Sequence, residues 1–173
     1  MTMHSVRIVP LTEAHWQAVA AIYREGIDTG MATFEVAPAC SWQEWQQGKL
    51  DGCSLVALEV DEVVAWAALS AVSRRPCYAG VAEVSVYVRA LARGAGVGSL
   101  LMDALIEAAE AHGVWTLQAT VFPENEASLR LHEKHGFRLV GRRERIAQMR
   151  VGQWAGQWRD TLLLERRSRV VGV

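Results

Sequence analysis

The chain has 173 residues, enough for one domain, and a second would leave each half poorly stabilised. Its composition, 51% hydrophobic and 21% charged, suits a packed globular core and excludes general disorder. With 18 Lys and Arg against 19 Asp and Glu, there is no footprint for nucleic acid or an anionic membrane surface.

Met1 to Pro10 lacks the basic start and apolar run of a signal peptide. No apolar run approaches the roughly 20 residues of a membrane span. Ser5–Pro10 reads as a first strand. Thr12 is then placed to cap a helix whose apolar face is Trp16, Val19, Ala20, Tyr23 and Ile27. Gly30 and Pro38 mark loop, and Ser41 caps a second helix with Trp42 and Trp45. Strands follow at Ser54–Val60 and Val63–Val72, with Asp61-Glu62 as the expected hairpin turn.

Val81–Val88 is a further strand, with Val84, Val86 and Val88 on one face and Glu83, Ser85 and Tyr87 on the other. After a Gly-rich turn comes a periodic helix bearing Val97, Leu100, Leu101, Ala104, Leu105 and Ala108, ended by Gly113. Thr116–Phe122 is a strand with Leu117, Ala119 and Val121 inward. Asn125 caps a helix to about His135, and Gly136 stops it. Phe137–Arg145 and Trp158–Glu165 are the last strands. Residues 1–166 are expected to form the single domain, and 167–173 a frayed tail. The order β-α-α-β-β-β-α-β-α-β-β predicts a mixed α/β sheet with helices on its faces.

The cysteines Cys40, Cys53 and Cys77 match no zinc or redox spacing, and their odd number leaves one unpaired in any disulfide scheme. The expectation is a reduced, cytoplasmic protein without a metal. The tryptophans have no accompanying basic patch, so they read as packing rather than a base-stacking surface.

Arg93-Gly94-Ala95-Gly96-Val97-Gly98 and Ser99 join a strand to an amphipathic helix. Glycines let the backbone approach a ligand, and successive N–H groups at the positive end of the helix dipole suit a phosphate or diphosphate. A turn that merely redirects the chain is the plainer alternative. A Walker-type site needs Lys before the Ser, and a dinucleotide fingerprint needs Gly-x-Gly-x-x-Gly with an acid further on; both are missing.

Arg93-x-x-Gly96-x-Gly98 after Val86-Tyr87-Val88 resembles the coenzyme A diphosphate loop of the GNAT acetyltransferase superfamily. Asn125-Glu-Ala-Ser128-Leu-Arg-Leu-His132-Glu-Lys-His-Gly136-Phe137 resembles its second coenzyme-binding helix. A narrower likeness lies in Ala32-Thr33-Phe34-Glu35 with Trp42-x-x-Trp45, Arg75-Pro-Cys-Tyr78 leading to Glu83, Leu131-His132-Glu133, and Gly156-Gln-Trp158-Arg-Asp160. These resemble the phosphinothricin, methionine sulfoximine and arsinothricin N-acetyltransferases. Ala95 stands where such proteins often carry a polar or basic residue, and the segment 148–158 is longer than theirs.

The resemblance implies a mostly antiparallel sheet with helices on both faces and strands splayed at an acetyl-CoA site. It implies transfer of an acetyl group to a small amino-acid-like amine, a detoxification or resistance role, and a homodimer. Coenzyme contacts then fall on Val86, Val88, Arg93, Gly94, Gly96, Val97, Gly98, Ser99, Asn125 and Ser128; for Asn125 and Ser128 the plainer role is helix capping. Glu83 becomes the base and the Val88 N–H the oxyanion donor. His132 stands where many members carry Tyr, as general acid or substrate contact. Arg75 and Tyr78, with Phe34 and Glu35, are the expected substrate contacts, Arg being suited to bidentate oxyanion binding. Another amine, such as a peptide N-terminus or a polyamine, and a non-catalytic acetyl-CoA-binding module remain open.

Overall fold

The computed structural model describes residues 5–173; Met1 to His4, the start of the segment that lacks signal-peptide character, lie outside them. The elements run β1 (Val6–Pro10), α1 (Trp16–Asp28), α2 (Trp42–Gln46), β2 (Lys49–Glu59), β3 (Glu62–Ala71), β4 (Val81–Val88), α3 (Val97–Ala111), β5 (Thr116–Val121), α4 (Glu126–Lys134), β6 (Arg138–Gln148) and β7 (Trp158–Arg167). The expected order of strands and helices is the observed one. A 3-10 turn, Glu13–His15, precedes α1 and takes the Thr12 cap. Ser41 caps α2 by accepting from the Glu44 N–H at 3.1 Å.

Seven strands form one sheet in the order β1-β2-β3-β4-β5-β7-β6. Every pairing is antiparallel except β4 with β5. The helices cover both faces. Leu101, Met102 and Leu105 of α3 pack with Leu69, Val84, Leu117, Val121 and Leu164, and Leu129 and Leu131 of α4 join them. On the other face Val19 and Ile22 of α1 and Trp45 of α2 pack against Val56, Trp66 and Ala68. The aromatic side chains there are packing groups, as expected: Trp66 stacks on Tyr87 at 4.8 Å, and Trp45 meets Trp16, Trp42 and Trp66 at 5.4 to 5.9 Å. Among the described residues no helix is long and apolar enough to cross a membrane.

Three expectations need correction. The β2–β3 hairpin turns at Val60-Asp61, not Asp61-Glu62: both have positive φ (48° and 66°) and Glu59 pairs with Glu62. A two-residue turn of this twist needs left-handed backbone twice, and the bulge between Ala57 and Leu58 sets which residues supply it. β2 also starts five residues early, at Lys49, passing Gly52 in a left-handed conformation through a further irregularity that hides the strand from a pattern search. Finally, the chain past Arg166 is tied down. The Arg167 guanidinium donates to the carbonyls of Trp115, Ser168, Val171 and Gly172, and Ser168 is buried with its hydroxyl on Glu110.

Candidate active site

β4 and β5 run together for only three residue pairs, ending at Glu83 with Gln118. Beyond that point β4 stays on β3 as far as Val88, while β5 stays on β7 as far as Val121. The sheet therefore opens like a V. The Val81 carbonyl accepts from the N–H of Val72, just past β3, and the Arg89 N–H, beyond the end of β4, donates to the Val64 carbonyl of β3. Alternation along the strand then turns the N–H groups of Val86 and Val88 to the open edge, where no strand meets them. The notch widens into a cleft of about 1350 Å³, large enough for an extended ligand.

The Gly-rich turn lies at the outer end of β4. Gly96 is the N-cap of α3, with φ of 83°, and no side chain caps the helix. Among the described residues no acceptor takes the N–H groups of Gly96, Val97 and Gly98, and the first turn of α3 holds no acid. A Cβ at Gly94 or Gly96 would meet nothing within 4 Å, so open space lies beside the backbone. A bare helix N-terminus facing open space fits a diphosphate. Around it the Arg93 Nε donates to the Val88 carbonyl at 3.1 Å, and Lys134 donates to the Ser99 hydroxyl at 2.9 Å.

Across the notch, Asn125 is committed to structure. Its side-chain carbonyl accepts from the Ser128 N–H, capping α4, and its amide nitrogen donates to the Met31 carbonyl. It lines the cleft even so, as does Ser128. His132 is 4% exposed, edge-on to Phe137 at 4.9 Å. Its Nδ1 lies 2.7 Å from the Ser128 carbonyl, which can only accept, so Nδ1 carries the proton and Nε2 the lone pair. That Nε2 is buried, and among the described residues it has no partner.

Desolvation pushes the His132 pKa down, outweighing the Ser128 carbonyl, with a smaller push from His135 in the same direction as burial. A depressed histidine pKa contributes stability that is present above the unfolded value, about 6.5, and lost as pH falls through the folded value. The thermal midpoint of the protein should therefore decline as pH drops below about 6.5, and His132→Leu should flatten that decline. Parallel melting curves against pH check this; identical slopes would contradict it.

Glu83 sits at the vertex, accepting from the Gln118 amide at 2.8 Å. Lys49 lies close enough for the Glu83 charge to raise its pKa, against a larger lowering by desolvation. On the same face, Tyr23 and Tyr87 line the cleft with Thr33. Burial raises both phenols, Tyr87 far above its usual range, so both stay protonated. Phe34 forms a roof against Phe122 at 4.9 Å, with Glu35 beside it in the cleft wall.

Of the residues expected from sequence, the structure brings fourteen to this one cleft: Phe34, Glu35, Glu83, Val86, Val88, Arg93, Gly94, Gly96, Val97, Gly98, Ser99, Asn125, Ser128 and His132. It does not bring Arg75 and Tyr78 there. They occupy a short turn before β4, the guanidinium 5.5 Å from the ring centre, and neither is among the cleft-lining residues.

Arg159 is not among the residues expected in the site from the sequence. It is 4% exposed, lies over Phe122 at 3.7 Å and Trp154 at 4.6 Å, and donates to the Gly30 carbonyl and to Glu124. One buried cation thus pins the chain after α1 and the β5–α4 connection to β7. Among the described residues no group of His, Cys, Asp and Glu could hold a metal ion.

Comparison with known proteins agrees with this geometry. Residues 16–137 match the family model described as "Acetyltransferase (GNAT) family". The phosphinothricin N-acetyltransferase of Streptomyces viridochromogenes is 32% identical over 96% of this chain and 93% of its own. YwnH of Bacillus subtilis is 36% identical over 77% of this chain and 84% of its own. The crystal structure of a GNAT superfamily phosphinothricin acetyltransferase from Sinorhizobium meliloti in complex with AcCoA superposes with a TM-score of 0.81. It has 27% identity and the match covers 94% of this chain and 88% of that one. The split sheet, the uncapped helix behind its glycine turn and these relatives lead to one conclusion: the chain belongs to the acetyltransferase (GNAT) family.

Proposed function

We propose that this protein transfers the acetyl group of acetyl-CoA to the amino group of a small amino acid of the phosphinothricin or methionine sulfoximine type, as a detoxifying activity. The observation that carries the reading is the open edge of β4, with Val86 and Val88 N–H groups unpaired, running straight into the bare amides of Gly96, Val97 and Gly98. The coenzyme supplies an activated thioester. The protein's part is to hold it, to hold the amine, and to manage one proton and one developing negative charge.

In this reading the turn and the start of α3 bind the diphosphate, and Val86 holds the pantetheine amides. The Val88 N–H stands ready for the oxygen that gains charge as the amine attacks. An α-amino group, with a pKa near 8, gives up its proton easily, so Glu83 at the vertex has a light task through one water. His132, neutral and with its lone pair on Nε2, serves as an acceptor toward bound substrate rather than as a proton donor to the thiolate. Phe34, Glu35 and the phenols of Tyr23 and Tyr87 enclose the acceptor.

A cationic acceptor such as a polyamine is a second reading, favoured by the carboxylates of Glu35, Glu83 and Glu124 in the wall and by the position of Arg75 outside it. Thiol release at fixed acetyl-CoA separates the two. Phosphinothricin, methionine sulfone, a polyamine and a peptide amine should be offered in turn. The proposal expects kcat/KM at least tenfold higher for the two amino acids; preference for the polyamine would reverse it, and no turnover with any amine would support a non-catalytic module.

A further inference from the structure

Arg143 on β6 stands directly opposite Thr161 on β7, and both line the cleft. They share the face that carries Glu83. Gln118 bonds to Glu83 and pairs with Glu165, and Thr161 lies four residues along β7 from Glu165, an even number of steps. Four residues span about 13 Å at the usual strand rise, so the pair lies toward the outer part of the cleft while Glu83 lies at its vertex. Asp160 points to the opposite face, where it holds the Arg142 side chain and the Arg145 N–H.

Two features at this position bear on a ligand. Thr161 is 2% exposed and among the described residues its hydroxyl has no hydrogen-bond partner, an arrangement that folding alone disfavours. Arg143 is exposed, and among the described residues no hydrogen-bond or ion-pair partner engages its charge. Among the described cleft-lining residues the other cations have partners: Arg93 on the Val88 carbonyl, Arg130 on Glu126, Lys134 on Ser99. An unpaired guanidinium beside an unpaired hydroxyl, in a cleft whose other cations are already engaged, suits an anion.

We propose that Arg143 and Thr161 form the subsite for an anionic side-chain head of the acceptor, such as a phosphinate or second carboxylate. The guanidinium donates two N–H groups to its oxygens and the threonine hydroxyl donates a third. The assignment rests on the amino-acid N-acetyltransferase reading above, and gives to Arg143 the contact that the sequence suggested for Arg75.

The test compares two acceptors that differ in the head: phosphinothricin, which is anionic there, and methionine sulfone, which is neutral. In Arg143→Leu the ratio of KM for phosphinothricin to KM for methionine sulfone should rise about tenfold, the loss of a charge-assisted contact at an exposed position. Thr161→Val keeps the side-chain shape and should raise the same ratio about threefold without lowering the melting temperature, because no internal hydrogen bond is lost. Arg75→Ala should leave the ratio where it is. An unmoved ratio in Arg143→Leu, or a rise in Arg75→Ala instead, overturns the subsite alone. Failure of the unaltered protein to acetylate either acceptor overturns the reaction and the subsite together.

Discussion

Replacing Glu83 with Gln should lower kcat/KM about a hundredfold at pH 7, with the deficit shrinking as pH rises past about 8. The pH dependence is the informative part. Below the amine's pKa the acceptor is mostly ammonium and needs a base, whereas above it the nucleophile is already free. Glutamine keeps the acceptor that the Gln118 amide uses, so the vertex should hold its shape. The exchange also removes the charge that holds the Lys49 pKa up, which should lower that pKa further. Affinity for acetyl-CoA should not change, since the glycine turn lies at the far end of β4. A uniform loss at every pH would assign Glu83 to structure instead, and activity within twofold of the parent would remove it from the mechanism.

Gly98→Glu should weaken acetyl-CoA binding at least a hundredfold, about 2.8 kcal/mol, and leave the fold as stable as before or slightly more so. A Cβ at Gly98 would stand 3.5 Å from the side chains of Leu131 and Val88, ordinary contact, so the first carbon fits. The carboxylate beyond it has only the cleft to enter. There it occupies the anion's place and repels what remains, a penalty of about 4 kcal/mol per charge pair at 4 Å in a partly screened site. The same carboxylate in the first turn of α3 interacts well with the helix dipole, a gain of about 0.3–1 kcal/mol. Binding and stability thus move in opposite directions, which ordinary damage to the helix would not produce. Gly98→Ala, with no carboxylate, should retain most of the affinity.

What could be read in advance was local. β4 came out to the residue because its valines alternate on one side of polar neighbours, and the start of α3 came from glycines followed by a 3.6-residue period. Asn125 was legible as a cap because capping depends only on residues three apart. What stayed hidden depends on partners distant in the chain. Arg159 reaches Gly30 and Glu124, and nothing in its own neighbourhood says that it is buried. The β2 start and the extension of β6 to Gln148 pass through irregular pairings at Gly52 and Arg145, where left-handed backbone breaks the two-residue alternation. Arg75 and Tyr78 are expected in the site from the family resemblance and from the fit of a guanidinium to an oxyanion. The turn that carries them before β4 takes both out of the cleft wall, a matter of chain direction that composition does not encode.

In the proposed function backbone amides do the binding, and those amides can be watched directly. A ¹⁵N–¹H correlation titration with coenzyme A should shift the resonances of Val86, Val88, Gly96, Val97 and Gly98 together, at a single affinity, and leave those of β1 still. Coenzyme that binds while these five signals stay in place, or a protein whose spectrum ignores the coenzyme altogether, would contradict it.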